Sequence, residues 1–381
     1  MRGRLQSALD APVRVVSPEL LCDDRERAFL LATSGSRIDG TGSPRPGRTV
    51  VVLDEVHYFV NADTGRSRSV DAILAGFDGP ILAASATPIP NRIIGLWNVL
   101  NLIWPGRFGF RRDRHPVPYQ FLDAYVERLT NAHGTMWGGL RQDRAEELQA
   151  RLAALLSRTT RKEVHQRWPG LLPACQLRPL PVERTGVDAN IKTWVQDALS
   201  VASHCAVLTN LRATAANTAA MLAATGLGPG VQILHVDGAT PPEERNDKIR
   251  ALRAAKSGVL VTTMHAVCEA ISLSWCHRAL FAELYWRPKT LVQTVGRFPR
   301  LDGDTDIIID VLCGADSVQA KMAMSISDKL LDQQKILPVG AADEGLIGAL
   351  SPVNMEDELL AAARVGAGGD WTLDFDGEAN E

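Results

Sequence analysis

Residues 49–57 read Thr-Val-Val-Val-Leu-Asp-Glu-Val-His and give the first clear strand signal in the chain. Its unbroken run of apolar, mostly β-branched residues predicts a strand that is buried on both faces, as in parallel sheets. Asp54 and Glu55 follow at the carboxyl end of the strand, where open α/β sheets bind their ligands. A second strand is predicted at residues 80–84 and leads into Ser85-Ala86-Thr87-Pro88. The first part of the chain is therefore predicted to be a parallel α/β sheet with polar groups at one edge.

The second half of the chain repeats the alternation of strands and helices. Apolar runs occur at residues 205–208, 231–234, 259–262, 279–281 and 307–311. Such alternation predicts an α/β fold with doubly wound parallel sheets. Four prolines between residues 169 and 181 indicate a linker. We therefore expect a partial first domain over residues 1–177, a second domain over 178–338, and a flexible acidic tail over 339–381.

Composition argues against several classes of protein. The chain has 381 residues and 45% hydrophobic content, which is enough for roughly two domains. It contains no apolar run long enough to span a membrane and no secretory signal, so we expect a cytoplasmic protein without a membrane partner. The six cysteines lie far apart without a C-x-x-C pair, which argues against a zinc site or a disulfide framework.

The acidic pair at the end of the first strand suits hydrolysis of a nucleoside triphosphate. That reaction needs one carboxylate to hold Mg²⁺ at the phosphates and a second to orient the attacking water. Taken alone, Asp54 and Glu55 are more often only an acidic turn, and Ser85 and Thr87 could merely cap the next turn. The segments that surround the pair decide between these interpretations.

Residues 85–91 (Ser-Ala-Thr-Pro-Ile-Pro-Asn) and 95–106 resemble motif III, and the helix after it, of the Swi/Snf-type ATPases of helicase superfamily 2. Three more segments resemble that family in the same order along the chain. They are residues 13–21 before the acidic box, residues 156–169 at the end of the first lobe, and Asp237-Gly238-Ala239-Thr240 with Arg245. The resemblance implies two RecA-like lobes, the first incomplete at its N-terminus.

Residues 281–288 (Phe-Ala-Glu-Leu-Tyr-Trp-Arg-Pro) and 293–300 (Gln-Thr-Val-Gly-Arg-Phe-Pro-Arg) are similar to the annealing-helicase, fork-remodelling branch of the family. Gln293, Arg297 and Arg300 are spaced i, i+4 and i+7, which predicts one face of a helix. Pro299 should nevertheless interrupt that helix before Arg300. A guanidinium suits the charge that develops on a γ-phosphate, so the two arginines are candidate arginine fingers.

The resemblance implies ATP and Mg²⁺ as cofactors and duplex or branched DNA as the partner, in replication, recombination or repair within a bacterial or bacteriophage-infected cell. It assigns catalysis to Glu55, Arg297 and Arg300. Nucleotide binding falls to Asp54, His57 and Gln293, with Asp54 holding Mg²⁺ through water. Coupling and DNA contacts are assigned to Ser85, Ala86, Thr87, Asp237, Gly238, Thr240, Arg245 and Ser272. One departure is Ala270, which stands where the family has a glycine in motif V.

The phosphate-binding P-loop of that family is missing from the sequence, which contains no G-x-x-x-x-G-K-[ST] and no Gly-Lys pair. Three explanations remain open. A separate P-loop-bearing polypeptide completes the motor, the chain is a truncated product of a longer reading frame, or a degenerate ATPase serves as a non-hydrolysing DNA-binding module. In each case we expect the first lobe to have an exposed sheet edge and an apolar face without cover.

Charge is unevenly distributed along the chain. The whole chain carries −3, but residues 339–381 contain ten acidic residues and one basic residue, so the tail carries −9 and the rest +6. The low overall charge argues against an indiscriminate nucleic-acid coat. Two interpretations of the tail stay open, namely a solvating segment or an inhibitor that mimics DNA.

Overall fold

The computed structural model describes residues 15–17, 22, 50–75, 77, 79–89, 91–110, 117–131, 134–159, 161–182, 187–268, 271–300, 305–314, 318–337 and 350. Most of segment 13–21, Ala270, and the predicted tail apart from Leu350 lie outside these residues. The chain divides into two compact units, residues 1–151 and 152–381. The first unit contains the acidic turn, and the second contains the larger sheet.

The first unit is built around a small parallel sheet. Strand β1 (Val51–Leu53) pairs in parallel with β2 (Ile81–Ala83). Helix α1 (Gly65–Leu74) connects the two strands, and α2 (Leu96–Ile103) follows β2. One face of the sheet packs on these helices, because the alternate residues of β1 and β2 point towards them. The core on this side contains Leu53, Val56, Phe59, Val70, Leu74, Val99 and Leu102.

The other face of this sheet is apolar and exposed. Val52 and Leu82 lie directly opposite each other across the two strands, and they are 61% and 58% exposed. Val50, just before β1, is also exposed. The prediction that the first strand is buried on both faces is therefore wrong for this face. Parallel sheets are normally covered on both sides, and among the described residues this face is without such a layer.

The hairpin of the first unit was not predicted from the sequence. Helix α3 (Tyr119–Tyr125) leads into an antiparallel hairpin of β3 (Val126–Asn131) and β4 (Gly134–Leu140). Helix α4 (Ala145–Ala153) follows the hairpin. The hairpin is an addition to the α/β pattern, since its strands pair only with each other among the described residues.

The second unit contains a six-stranded parallel sheet in the order β5-β10-β9-β6-β8-β7. This sheet, flanked by helices, confirms the predicted α/β class. The strands are β5 (Cys175–Val182), β6 (His204–Thr209), β7 (Val231–Val236), β8 (Ser257–Thr263), β9 (Arg278–Phe281) and β10 (Ile307–Gly314). The helices are α5 (Arg161–Arg167), α6 (Val187–Val201), α7 (Arg212–Thr225), α8 (Pro242–Ala254), α9 (Met264–Val267), α10 (Pro288–Val295) and α11 (Val318–Ile336).

Helices cover both faces of the larger sheet. Along β6, Cys205 and Val207 belong to a core shared with α6 and α7. Ala206 and Leu208 belong to the opposite core, shared with α8, α10 and α11. Successive residues of a strand point to opposite faces, so an unbroken apolar run is what a strand covered on both sides requires.

One correction concerns the predicted linker between residues 169 and 181. Its second half is strand β5, in which Cys175 lies opposite Ile307 of β10. The two prolines at 179 and 181 are tolerated because β5 is an edge strand, where one side of the backbone needs no partner. The larger sheet thus begins before the predicted boundary at 177. Leu350, within the predicted tail, is fully buried in the core of the second unit.

Two classes of feature are absent from the part of the chain that the structure describes. None of its helices is both long and apolar enough to cross a membrane. It also contains no group of three or more His, Cys, Asp or Glu side chains that could hold a metal ion.

A buried carboxylate joins four elements of the second unit. Asp310 of β10 accepts hydrogen bonds from Arg178 Nε of β5 at 2.8 Å and from Arg278 Nη2 of β9 at 3.1 Å. It also accepts one from the indole Nε1 of Trp194 in α6 at 2.8 Å. A buried charge is stable only when it is paired and hydrogen-bonded, and Asp310 meets both conditions. The network fixes the edge strand β5 to the rest of the sheet.

Asp310→Asn should lower the free energy of unfolding by roughly 3 kcal/mol, because two guanidinium groups lose their buried anion. Urea denaturation followed by circular dichroism measures the change. The control is Asp247→Asn, which removes an exposed pair with Arg250 at 3.0 Å. The control should cost less than about 1 kcal/mol. Equal losses in the two variants would show that burial of the Asp310 network adds nothing to stability.

Candidate functional site

The acidic turn lies at the carboxyl end of β1 and is joined to the end of β2. Glu55 has φ 48° and ψ 50°, in the left-handed region that few residues other than glycine adopt. The Glu55 N–H donates to Asp54 Oδ1 at 2.9 Å. Val56 N–H donates to Ala84 O, and Ala84 N–H donates to Leu53 O, both at 2.9 Å. These main-chain bonds hold the turn in its strained conformation.

His57 connects the acidic turn to the Ser-Ala-Thr segment. Its buried ring places Nδ1 3.0 Å from Ser85 Oγ and 3.0 Å from Glu55 Oε2. Ser85 Oγ also accepts a hydrogen bond from Thr87 N–H at 3.1 Å. The structure therefore brings together four residues predicted from separate segments, with Ala86 between the last two.

The chemistry of this turn suits Mg²⁺ and water more than a softer metal. Asp54 is exposed and Glu55 is partly exposed, so both carboxylates can reach solvent ligands. Mg²⁺ prefers oxygen ligands and usually keeps several of its waters beside phosphates, so a single carboxylate acting through water fits the ion. The phosphates themselves need main-chain N–H groups of a P-loop, which this sequence does not supply.

In the second unit, Asp237 organises the turn after β7. Its Oδ1 accepts a hydrogen bond from Ala239 N–H and its Oδ2 accepts one from Arg212 Nε, both at 2.9 Å. Thr240 N–H donates to Asp237 O at 3.1 Å. The hydrogen bond from Arg212 lowers the pKa of Asp237 below its usual value of 3.8, against the opposing effect of desolvation. A side chain at Gly238 would meet open space, so sterics do not explain that glycine.

Arg245 braces the same turn. Its Nη1 donates to Ala266 O at 2.6 Å and its Nη2 donates to Thr240 O at 3.0 Å. The guanidinium thereby ties α8 to the turn after β7 and to α9. Its predicted DNA contact stays a prediction, and its observed bonds show that it also shapes the turn.

The predicted helical face at residues 293–300 is wrong beyond its first member. Helix α10 ends at Val295, so Gln293 lies on the helix and is buried, but Arg297 and Arg300 lie beyond its end. Pro299 has no N–H and restricts the residue before it, which explains why the helix does not continue.

Arg297 instead holds the turn that precedes β9. Its Nε donates to Cys268 O at 2.7 Å, and its Nη2 contacts the same oxygen. Arg297 O accepts a hydrogen bond from Leu273 N–H at 2.8 Å. Within this turn, Ser272 Oγ lies 3.1 Å from Ser274 Oγ. Arg300 Nε is buried without a hydrogen-bond partner among the described residues.

Part of the second unit is similar in sequence to a known protein family. Residues 193–302, which include strands β6 to β9, match the family model of the helicase conserved C-terminal domain. The second unit is therefore helicase-like. No match was found among curated protein sequences.

Two solved structures are similar to the chain. The C-terminal part of the Fun30 ATPase domain has 14% sequence identity and a TM-score of 0.35, over 45% of this chain and 54% of that one. S. cerevisiae Dbp5 bound to RNA and ADP BeF3 has 13% identity and a TM-score of 0.43, over 89% of this chain and 68% of that one. The chain thus spans about half of the Fun30 structure.

Glu283 is a residue of the helicase-like unit to which sequence analysis assigned no role. It follows β9, and its Oε2 accepts hydrogen bonds from Asn210 N–H at 2.8 Å and Leu211 N–H at 2.9 Å. Its Oε1 accepts one from Thr214 Oγ1 at 2.9 Å. These groups lie at the N-terminus of α7, whose own cap residue, Leu211, has no side-chain acceptor. The absence of a capping side chain at Leu211 is the sequence signal that could have indicated a distant acceptor such as Glu283.

The Asp237–Arg212 pair should make stability depend on pH. The folded pKa of Asp237 is lowered, so its ionised form stabilises the fold above the usual value of 3.8. This contribution is lost as the pH falls through the lowered folded pKa. Arg212→Met should therefore melt at a lower temperature than the unmodified chain near pH 6, with a difference that shrinks below about pH 3.

Melting temperatures across this pH range measure the effect, and Arg253→Met on the exposed face of α8 is the control. A difference between Arg212→Met and the unmodified chain that does not change with pH would contradict the assignment.

Proposed function

We propose that this chain forms most of a DNA-dependent ATPase of the Swi/Snf type, a translocase that acts on duplex or branched DNA in replication, recombination or repair. The observation that carries the proposal is the contact of His57 with both Glu55 and Ser85. A motor must transmit a change at the nucleotide to its nucleic-acid site, and hydrogen-bond networks can carry such coupling. The helicase-like second unit supports the same function.

Each polar group then has a role that fits its chemistry. Asp54 holds Mg²⁺ through water and Glu55 orients the attacking water, while Arg297 and Arg300 stabilise charge on the γ-phosphate. His57 and Gln293 complete the nucleotide site. Ser85, Ala86 and Thr87 couple it to DNA, which the turns with Asp237, Gly238, Thr240, Arg245 and Ser272 contact.

A P-loop-bearing polypeptide, made separately, completes the motor in this proposal. A P-loop connects a strand to a helix, so it would bring both elements to the first unit. Helix α1 packs on one face of the small sheet. In the proposed motor, the helix that follows the P-loop packs on the opposite, exposed face. The exposed Val52 and Leu82 provide an apolar surface on which that helix can pack. The bacterial or phage-infected cytoplasm is the proposed setting.

A second candidate function is a DNA-binding module that does not hydrolyse ATP. The observation that favours it is the absence of any Gly-Lys pair in the sequence. Such a module would bind through charge on the +6 body, and its affinity would fall steeply with salt. Retention of the Glu55–His57–Ser85 contacts favours the hydrolase, since a passive binder has no use for them.

In the assembled motor, Glu55→Gln should reduce ATP turnover at least about 100-fold and Arg297→Ala about 1,000-fold, because each removes a group needed in the transition state. The assay measures phosphate release with duplex DNA, for this chain mixed with the product of the adjacent upstream reading frame. Arg250→Ala, at an exposed position in α8, is the control. Full turnover in either site variant would show that the roles are wrongly assigned, and an inactive mixture would favour the second candidate.

Val52→Lys and Leu82→Lys should each weaken association with the P-loop-bearing polypeptide by at least about tenfold, because an apolar contact is replaced by a buried charge. Sedimentation velocity of the mixed chains measures the association. Val201→Lys, at an exposed apolar position of the second unit, is the matched control. If both site variants associate as tightly as the control, the exposed face is not the contact surface.

A further inference from the structure

Three aromatic side chains are exposed close together in the sequence of the first unit. Trp104 is 40% exposed, Phe110 65% and Tyr119 50%. Single exposed apolar residues are common, but a contiguous apolar patch on a protein surface indicates an interaction site. The question is therefore whether these three side chains form one surface.

Side-chain and backbone contacts connect the loop after α2 to the start of α3. The guanidinium of Arg107 lies 5.3 Å from the ring of Trp104. Gly106 has φ +74°, and a side chain there would overlap the ring of Phe110, so this ring packs directly on the loop backbone. A side chain at Gly109 would touch Gln120 and Pro118, the two neighbours of Tyr119. The loop and the start of α3 are thus adjacent.

The surface continues onto the β3–β4 hairpin. The rings of Tyr119 and Trp137 lie 6.4 Å apart. Trp137 is directly opposite Arg128 in the hairpin, and Arg128 is exposed. We name the exposed or partly exposed aromatic and arginine residues of these adjacent segments the aromatic–arginine surface: Trp104, Arg107, Phe110, Tyr119, Arg128 and Trp137.

Interactions beneath this surface hold it in place. Arg151 donates from Nη2 to Arg107 O at 2.9 Å, and its guanidinium lies 4.4 Å from the ring of buried Phe108. Arg92 donates from Nη1 to Trp137 O at 3.3 Å, which fixes the hairpin to the residue after segment 85–91. A surface whose side chains are already ordered loses less conformational entropy when it binds a ligand.

The exposed arginines of the surface indicate which class of ligand it could bind. Arg107 and Arg128 present exposed guanidinium groups beside aromatic faces. Residues 104–110 contain Arg107 and no acidic residue, whereas Asp123, Glu127 and Asp143 lie near Arg128, as does Arg141. The guanidinium groups beside aromatic rings fit a polyanion that also has flat apolar groups. Nucleic-acid bases stack on aromatic rings, and phosphates pair with arginine.

We propose that the aromatic–arginine surface binds a single-stranded nucleic acid. Unpaired bases stack on Phe110 and Tyr119, while Arg107 and Arg128 neutralise the phosphates. In a duplex the base faces are already stacked on each other, so this surface distinguishes single strands from duplexes. It needs neither ATP nor a P-loop, and its test is therefore independent of the proposed hydrolysis.

The test is fluorescence anisotropy of a labelled oligothymidylate of about 16 nucleotides, the upper site size of common single-strand binders, without nucleotide. Phe110→Ala and Tyr119→Ala should each weaken binding between about 5-fold and 100-fold, the range for loss of one base stack. Phe110→Tyr and Tyr119→Phe should keep affinity, because they retain a ring. Trp168→Ala, which removes an aromatic that is 52% exposed in the second unit, is the matched control.

Salt dependence gives a second readout that does not rely on truncating a ring. Arg107→Gln and Arg128→Gln should each reduce the slope of log affinity against log salt by about 0.7, the value for one phosphate contact on a single strand. Oligouridylate in place of oligothymidylate distinguishes the source of the strand. Tighter binding of either one supports the proposal and assigns RNA or DNA as the ligand.

Two results would overturn the proposal. In the first, the alanine variants bind oligothymidylate as tightly as the Trp168→Ala control. In the second, they leave oligothymidylate binding intact but convert a self-associated form of the unmodified chain to monomers in sedimentation velocity. That result would make the surface an interface between copies.

Discussion

The polar sites of this chain depend on one constraint, namely that parallel strands bury apolar side chains on both faces. In the second unit the constraint is met, because Cys205 and Val207 of β6 pack on one layer of helices and Ala206 and Leu208 on the other. The polar groups of the candidate sites then lie at the strand ends, whereas buried Asp310 within β10 is paired with Arg178 and Arg278. Asp237 and Glu283 follow the carboxyl ends of β7 and β9, and both are satisfied there by main-chain N–H groups.

The same constraint gives the first unit its open surface. Its strands have the composition of buried strands, but one face carries exposed Val52 and Leu82. Parallel strands of this composition are normally covered on both faces, and this face is exposed within the part of the chain that the structure describes. The acidic turn is nevertheless in place, because its conformation depends on bonds to Leu53 and Ala84 within the two described strands.

The sequence predicted the elements whose signal is local. Strands such as residues 259–262 were found because burial on both faces leaves an unbroken apolar run, and the acidic turn was found because it follows such a run. Strand β5 was missed because its prolines indicate a linker, whereas an edge position tolerates them. The end of α10 was missed because spacing shows which residues share a face but not where a helix stops. Glu283 was missed because its partners lie far earlier in the chain.

Glu55 shows how local strain and long-range contacts combine at the candidate site. A left-handed conformation at a residue other than glycine costs about 1–2 kcal/mol, and the bonds from Val56 N–H and Ala84 N–H offset that cost. In this conformation Glu55 Oε2 lies 3.0 Å from His57 Nδ1. A substitution that relaxed the turn would therefore also move the carboxylate away from the imidazole.

His57 then has two acceptors for one hydrogen. His57 Nδ1 lies 3.0 Å from both Glu55 Oε2 and Ser85 Oγ, and an imidazole protonated on Nδ1 has one hydrogen there for the two oxygens. Under the proposed function, movement of Glu55 towards the attacking water leaves the N–H to Ser85 alone. A stronger hydrogen bond between His57 Nδ1 and Ser85 would act on Ser85 Oγ, the same oxygen that accepts the hydrogen bond from Thr87 N–H. Under the proposed function, His57 Nδ1 would couple the position of Glu55 to the Ser-Ala-Thr segment.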